Sequence, residues 1–154
     1  MSAATPSIMI VAGEASGDLQ GACLAAEIKR IAPHLHIRGV GGRRMREAGV
    51  ELLADSSSWG AIGIAEALKL VPRLALILSK LKAHLTANPP DLLALIDFGA
   101  FNVRLGRHAH SRGVKVLYYF PPGSWNRDAD CSRLREVADR VITPFPWSAD
   151  ALKK

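Results

Sequence analysis

Three short apolar runs constrain this chain more than any other feature: Ser7-Ile-Met-Ile-Val-Ala12, Asp91-Leu-Leu-Ala-Leu-Ile96 and the stretch Val114–Tyr119. A strand with one face in water alternates apolar and polar residues. A run with little or no alternation has to be covered on both faces. Parallel strands linked by crossover helices supply that cover. The intervening segments fit this demand, with helical patterns over Ser16–Ile31 (closed by Pro33), Arg43–Ala48, Ile64–Leu85 (closed by Asn88-Pro89-Pro90) and Asn102–Ser111 (closed by Gly113). Further strands are expected at Leu35–Val40, Val50–Ala54 and Arg140–Thr143, and Trp147–Lys154 reads as a helix cut short. Strands alternating with helices in this way predict a Rossmann-like, doubly wound α/β domain, its mostly parallel sheet covered by helices on both faces.

With 154 residues there is room for one such domain, and no repeat or low-complexity linker divides it. A content of 49% apolar and 22% charged residues excludes a disordered chain. Cys23 and Cys131 are too few for a disulfide framework, and Met1–Ser7 lacks the basic and apolar segments of a secretory signal. A cytoplasmic location is therefore expected. The net charge of +6 favours anionic partners, either acidic lipid or phosphorylated small molecules. Nucleic acid is disfavoured, because aromatics are only 6% and no Lys/Arg run is interleaved with them. The pairs His34/His36 and His108/His110 have no Cys or carboxylate set beside them, so no metal site and no cofactor are expected.

In an open parallel sheet, ligands sit outside the carboxyl ends of the strands. Three loops fall there. Gly13-Glu14-Ala15-Ser16-Gly17-Asp18 follows the first strand, yet it carries two carboxylates and neither of the glycine patterns that cradle phosphates. A hydroxyl-rich ligand such as a sugar suits it, unless Ser16 simply caps the next helix. In Ile96-Asp97-Phe98-Gly99-Ala100-Phe101-Asn102, Asp97 ends a wholly apolar strand. It is either a general base for an attacking hydroxyl or a helix cap, and Asn102 is either an N-cap or a ligand contact. In Phe120-Pro121-Pro122-Gly123-Ser124-Trp125-Asn126-Arg127, Trp125 either stacks on a ligand ring or packs under its loop. The glycines of Gly39–Gly42, beside Arg43 and Arg44, either receive an anionic group or, as the simpler reading, are turn residues next to solvated arginines.

The pattern over 64–85 is a cationic amphipathic helix. Val71, Leu74, Leu78, Leu81 and Leu85 form an apolar stripe, while Leu70 and Ile77 fall partly outside it as a lipid-facing or acyl-binding surface. Pro72 is expected to kink it. Its charges bar it from spanning a bilayer.

Together these segments resemble the N-terminal domain of the lipid-A-disaccharide synthase family, glycosyltransferases with two Rossmann-like domains. The matching stretches are Val11–Asp18, Gly39–Met45, Gly60–Leu68 and Ile96–Asn102, in that order. The resemblance implies one half of a GT-B architecture, with residues 1–154 as the acceptor-side domain, truncated before a C-terminal UDP-sugar-binding domain. It implies inverting transfer of a diacylglucosaminyl unit from UDP-2,3-diacylglucosamine to lipid X (2,3-diacylglucosamine 1-phosphate), at the cytosolic face of the inner membrane. The isolated chain is then expected to be inactive. Asp97 matches the general base, and Glu14, Ser16 and Asn102 match positions near the acceptor. Gly17, Ser124 and Trp125 complete the candidate contacts. Two loops depart from the family pattern: Gly99-Ala100 stands where the family has Pro-Asp, and Pro121–Arg127 replaces an S-P-x-V-W-A-W loop. The competing readings are a non-catalytic Rossmann-like binding module and half of another GT-B glycosyltransferase or of a sugar-nucleotide epimerase.

Overall fold

The structure, a computed structural model, describes residues 5–60, 64–121 and 135–152. Its elements alternate along the chain as β1 (Ser7–Ala12), α1 (Ala15–Ile31), β2 (His36–Gly41), α2 (Arg43–Glu47), β3 (Glu51–Asp55), α3 (Ile64–Ala87), β4 (Leu92–Ile96) and α4 (Gly99–His110). There follow β5 (Lys115–Tyr119), β6 (Arg140–Ile142) and α5 (Pro146–Leu152). The strands form one sheet in the order β3-β2-β1-β4-β5-β6, and every neighbouring pair is parallel. The chain thus winds outward from β1 in one direction and from β4 in the other, leaving a topological switch point between those two strands.

Both sheet faces are covered, as the unbroken apolar runs require. Met9, Val11, Leu93 and Leu95 point into a layer with Leu81 and Leu85 of α3 and Phe101 and Leu105 of α4. Ile8, Ile10, Ala94 and Ile96 point the other way, onto Ala25 of α1 and Met45 of α2. Side chains of one strand therefore alternate between two cores rather than between core and water. Gly39 lies inside β2, not in a turn, because a Cβ there would collide with the Ile10 backbone of β1.

Several local expectations are corrected. Ser16 is not the cap of α1: Glu14 holds that position, and its side chain makes no capping bond. Asp18 is buried and reaches across to α2, where its carboxylate accepts hydrogen bonds from the backbone N–H groups of Gly42 (2.6 Å), Arg44 (3.0 Å) and Met45 (3.1 Å). The acid in the first turn of one helix thus caps the next one, satisfying its free N–H groups. Helix α4 begins at Gly99, so Asn102 lies inside it and is no N-cap; Phe98 is the flanking residue, and Asp97 caps nothing. Pro72 sits within α3 without ending it. On α3, Leu70 and Ile77 pack against the core, whereas Val71 and Leu76 are each 57% exposed. The histidine pairs are engaged separately: the His36 ring faces Glu51, and the His108 ring meets the Lys82 carbonyl.

Candidate active site

Strands β1 and β4 run in register from Ile8↔Leu92 to Ala12↔Ile96, so their following loops emerge side by side. Glu14 and Asp97 are carried there by the chain direction alone. The backbone turns sharply after β4, with Asp97 and Phe98 both left-handed (φ 44° and 50°). Two consecutive non-glycine residues in that region cost on the order of 1–3 kcal/mol each and need surrounding structure to hold them. That structure is visible. The Asn102 side-chain amide donates to the carbonyls of Asp97 (2.9 Å), Ile96 (3.0 Å) and Val11 (3.4 Å), and the Tyr118 hydroxyl donates to the Asp97 carbonyl (2.7 Å). The Asp97 N–H in turn donates to the Phe120 carbonyl at 3.0 Å. Burial, and then the Asp97 charge, push the Tyr118 phenol far above its ordinary range, so it remains a proton donor to this turn.

The turn borders a groove of about 590 Å³ between α3 and the start of α4. Val71, Leu74, Ala75 and Leu78 make its apolar wall, and Phe98 and Phe101 line its opposite side. These two rings lie 5.5 Å apart and pack on Trp59, with ring centroids at 5.6 and 5.5 Å. Gly13 makes room for this arrangement, since a Cβ on it would occupy the Phe98 ring. Glu14 and Asp97 stand together at the sheet end of the groove, and Lys82 and Arg104 line it further along the two helices.

Of the sequence candidates, Asp97 and Glu14 are brought together on the groove. Ser16 is exposed in the first turn of α1 and does not line the groove. Gly17 is buried at a helix–strand contact, where a Cβ would come within 3.2 Å of that of Ala12. Asn102 is fully buried and faces the strand ends instead of the groove, which makes it a positioning residue. Ser124 and Trp125 lie outside the described residues. The sequence reading missed Trp59, Lys82 and Arg104. Lys82 was discoverable, because it continues the spacing of Leu74 and Leu78 by one more turn.

Comparison with known proteins settles the family. The profile described as Lipid-A-disaccharide synthetase matches residues 8–154. The chain belongs to this family. A lipid-A-disaccharide synthase of Geobacter sulfurreducens is 48% identical over 141 residues, covering 91% of this chain and 37% of its own length. One from Coxiella burnetii is 35% identical over 149 residues, covering 96% of this chain and 40% of its own. The chain thus spans about two fifths of these curated lipid-A-disaccharide synthases. Among solved structures, a UDP-N-acetylglucosamine 2-epimerase from Rickettsia bellii superposes with a TM-score of 0.59 at 14% identity, over 97% of this chain and 41% of that one. Acinetobacter baumannii MurG gives 0.56 at 16% identity, over 93% and 42%. These likenesses show the fold: an α/β Rossmann-like half of a GT-B architecture.

Proposed function

We propose that the groove beside the β1–β4 crevice is the acceptor site of a lipid-A-disaccharide synthase. In this reading the chain is the N-terminal, acceptor-side domain. The UDP-sugar site belongs to the part of its relatives that this chain does not span. The full enzyme transfers a diacylglucosaminyl unit from UDP-2,3-diacylglucosamine to the 6-hydroxyl of lipid X. The single observation carrying the reading is the composition of the groove: two carboxylates at a sheet end, continuous with an apolar helical wall. A sugar bearing acyl chains has that same division between hydroxyls and hydrocarbon.

The chemistry follows from the placement. Asp97 accepts the proton of the acceptor hydroxyl as that oxygen attacks the anomeric carbon of the donor. The bond to UDP breaks on the opposite face, and the configuration inverts to a β-1,6 linkage. The Asn102 and Tyr118 hydrogen bonds hold the turn from which Asp97 projects, so little reorganisation accompanies proton transfer. Glu14 and Ser16 meet the remaining hydroxyls of the sugar. Among the described residues no helix is long and apolar enough to cross a membrane. Exposed Val71 and Leu76, flanked by Arg73 and Lys80, instead suit peripheral contact with an anionic membrane surface at its cytosolic face.

A chimera tests this reading, with the present segment replacing the matched region of the Geobacter sulfurreducens relative. Formation of the acylated disaccharide is the expected product. A well-folded chimera that binds both substrates and yields no disaccharide would refute it.

A further inference from the structure

Two residues that do not line the groove press on the residue that follows Asp97. Gly13 comes directly after β1, and a Cβ on it would overlap Cγ, Cδ1 and Cδ2 of the Phe98 ring. Gly13 is not in the left-handed region, so the ring, and not the backbone, is what requires a glycine there. The Phe98 ring also packs on Trp59, with centroids 5.6 Å apart and planes tilted by 36°. Trp59 is 2% exposed and belongs to the core layer beneath α3 and α4. Its backbone N–H donates to the Ser56 carbonyl (3.0 Å), and the Ser56 N–H donates to the Gly41 carbonyl at the end of β2 (2.9 Å). The indole N–H of Trp59 has no hydrogen-bond partner among the described residues, so ring packing alone holds this side chain. A Phe98 ring displaced from Gly13 cannot sink into that close-packed layer. It has to swing toward the groove, turning the backbone that carries Asp97.

We propose that Gly13 and Trp59 are positioning residues for Asp97, acting through the Phe98 ring. This rests on the acceptor reading above and assigns work to two residues outside the groove. Asp97 and Phe98 are both left-handed, at φ 44° and 50°, and each needs outside support to stay there. Asp97 has that support from the hydrogen bonds at its N–H and its carbonyl. The Phe98 carbonyl accepts from the Asn102 N–H at 3.1 Å, as the first bond of α4. The rest of its support comes from the side chain, through the contacts with Gly13, Trp59 and Phe101. Because Gly13 directly precedes Glu14, the same ring ties the β1 loop to the β4 loop. The two carboxylates are thereby kept in one arrangement at the sheet end of the groove.

Two measurements test this role: amide hydrogen exchange on the 154-residue chain and steady-state kinetics on the chimera. In Gly13→Ala the Asp97 and Asn102 amides are expected to exchange about tenfold faster relative to those of β5. In the chimera the same substitution is expected to lower kcat by about 10- to 100-fold with KM within about twofold. A misplaced base slows the chemical step and leaves acceptor binding in place. Trp59→Leu is expected to follow Gly13→Ala, whereas Trp59→Phe, which keeps an aromatic ring, retains most of the turnover. On a Phe98→Ala background there is no ring to displace, so adding Gly13→Ala changes neither readout by more than about twofold. The proposal is overturned if Gly13→Ala leaves either the Asp97 exchange rate or kcat unchanged, or costs as much without the Phe98 ring. The acceptor groove stands in each of these cases. The Trp59 pair reads the same contact without introducing a clash, and equal turnover by its Leu and Phe variants would also overturn the proposal. A KM that rises while kcat holds would make Gly13 a substrate contact and refute the positioning role. A chimera that binds both substrates and yields no disaccharide would overturn the acceptor reading and the positioning role together.

Discussion

Asp97 and Asn102 sit five residues apart and do different work, and substitution should separate them. Asp97 is exposed at the groove, and asparagine is among the residues that tolerate its left-handed backbone. In the chimera, Asp97→Asn should lower kcat by about 10²-fold or more, with stability changed by less than about 1 kcal/mol. Steady-state kinetics beside a thermal melt reads both, and near-normal turnover would remove Asp97 from the mechanism. Asn102→Ala removes the side-chain donor to the buried Ile96 and Val11 carbonyls and one of the two donors to that of Asp97, and should cost about 1–3 kcal/mol in urea unfolding. Unchanged stability there would show that the strand ends do not depend on it. Asp97 and Glu14 were legible in the sequence because a strand end fixes where its last residue goes. The work of Asn102 and Asp18 was not. Their partners are up to 91 and 27 residues away, and local pattern carries no information about them.

The strands were legible to within about one residue, because an unbroken apolar run has few ways to be satisfied in a sheet. The start of α4 was not, since the left-handed pair Asp97-Phe98 lets the helix begin at Gly99, three residues before the asparagine that resembles a cap. On α3, three- and four-residue spacing marked a stripe but not its orientation. The spacing puts Val71 with the core and Leu70 outside it, and the structure reverses the two. The consequence for α3 is measurable. Val71→Ser with Leu76→Ser should weaken association with anionic vesicles by about tenfold, since two half-exposed apolar side chains would no longer be withdrawn from water. The melting temperature should hold, because neither residue supports the core. Co-sedimentation read at low and high salt separates the apolar part from the contribution of Arg73 and Lys80. Equal vesicle binding by the double variant would leave the exposed face of α3 without this role.

The order β3-β2-β1-β4-β5-β6 is the arrangement that right-handed crossovers produce from strands alternating with helices, so the architecture of the whole was legible once the strands were. Its stability should depend on pH through the C-terminal half of α3 and that of α4. His84 and His108 both lie below the usual imidazole value of 6.5, in each case first through burial and then through a neighbouring guanidinium, Arg38 and Arg112 respectively. As pH falls, the unfolded chain takes up these protons before the folded chain does. Stability is therefore full above about pH 6.5, is lost as pH drops through the lowered folded values, and levels once both states are protonated. Thermal melts from about pH 7.5 to 5 should show a steeper decline for the unmodified chain than for a His84→Gln, His108→Gln variant; parallel curves would assign the dependence elsewhere. The central claim, that this chain carries the acceptor half of a two-sided reaction, has a more direct test. Titration of the 154-residue chain with 2,3-diacylglucosamine 1-phosphate and, separately, with UDP reads it in one calorimeter. Saturable binding of the acylated sugar phosphate, weakened by the Val71→Ser, Leu76→Ser variant, with little or no heat from UDP, is the predicted result. Tight UDP binding with no response to the acylated sugar would contradict the account.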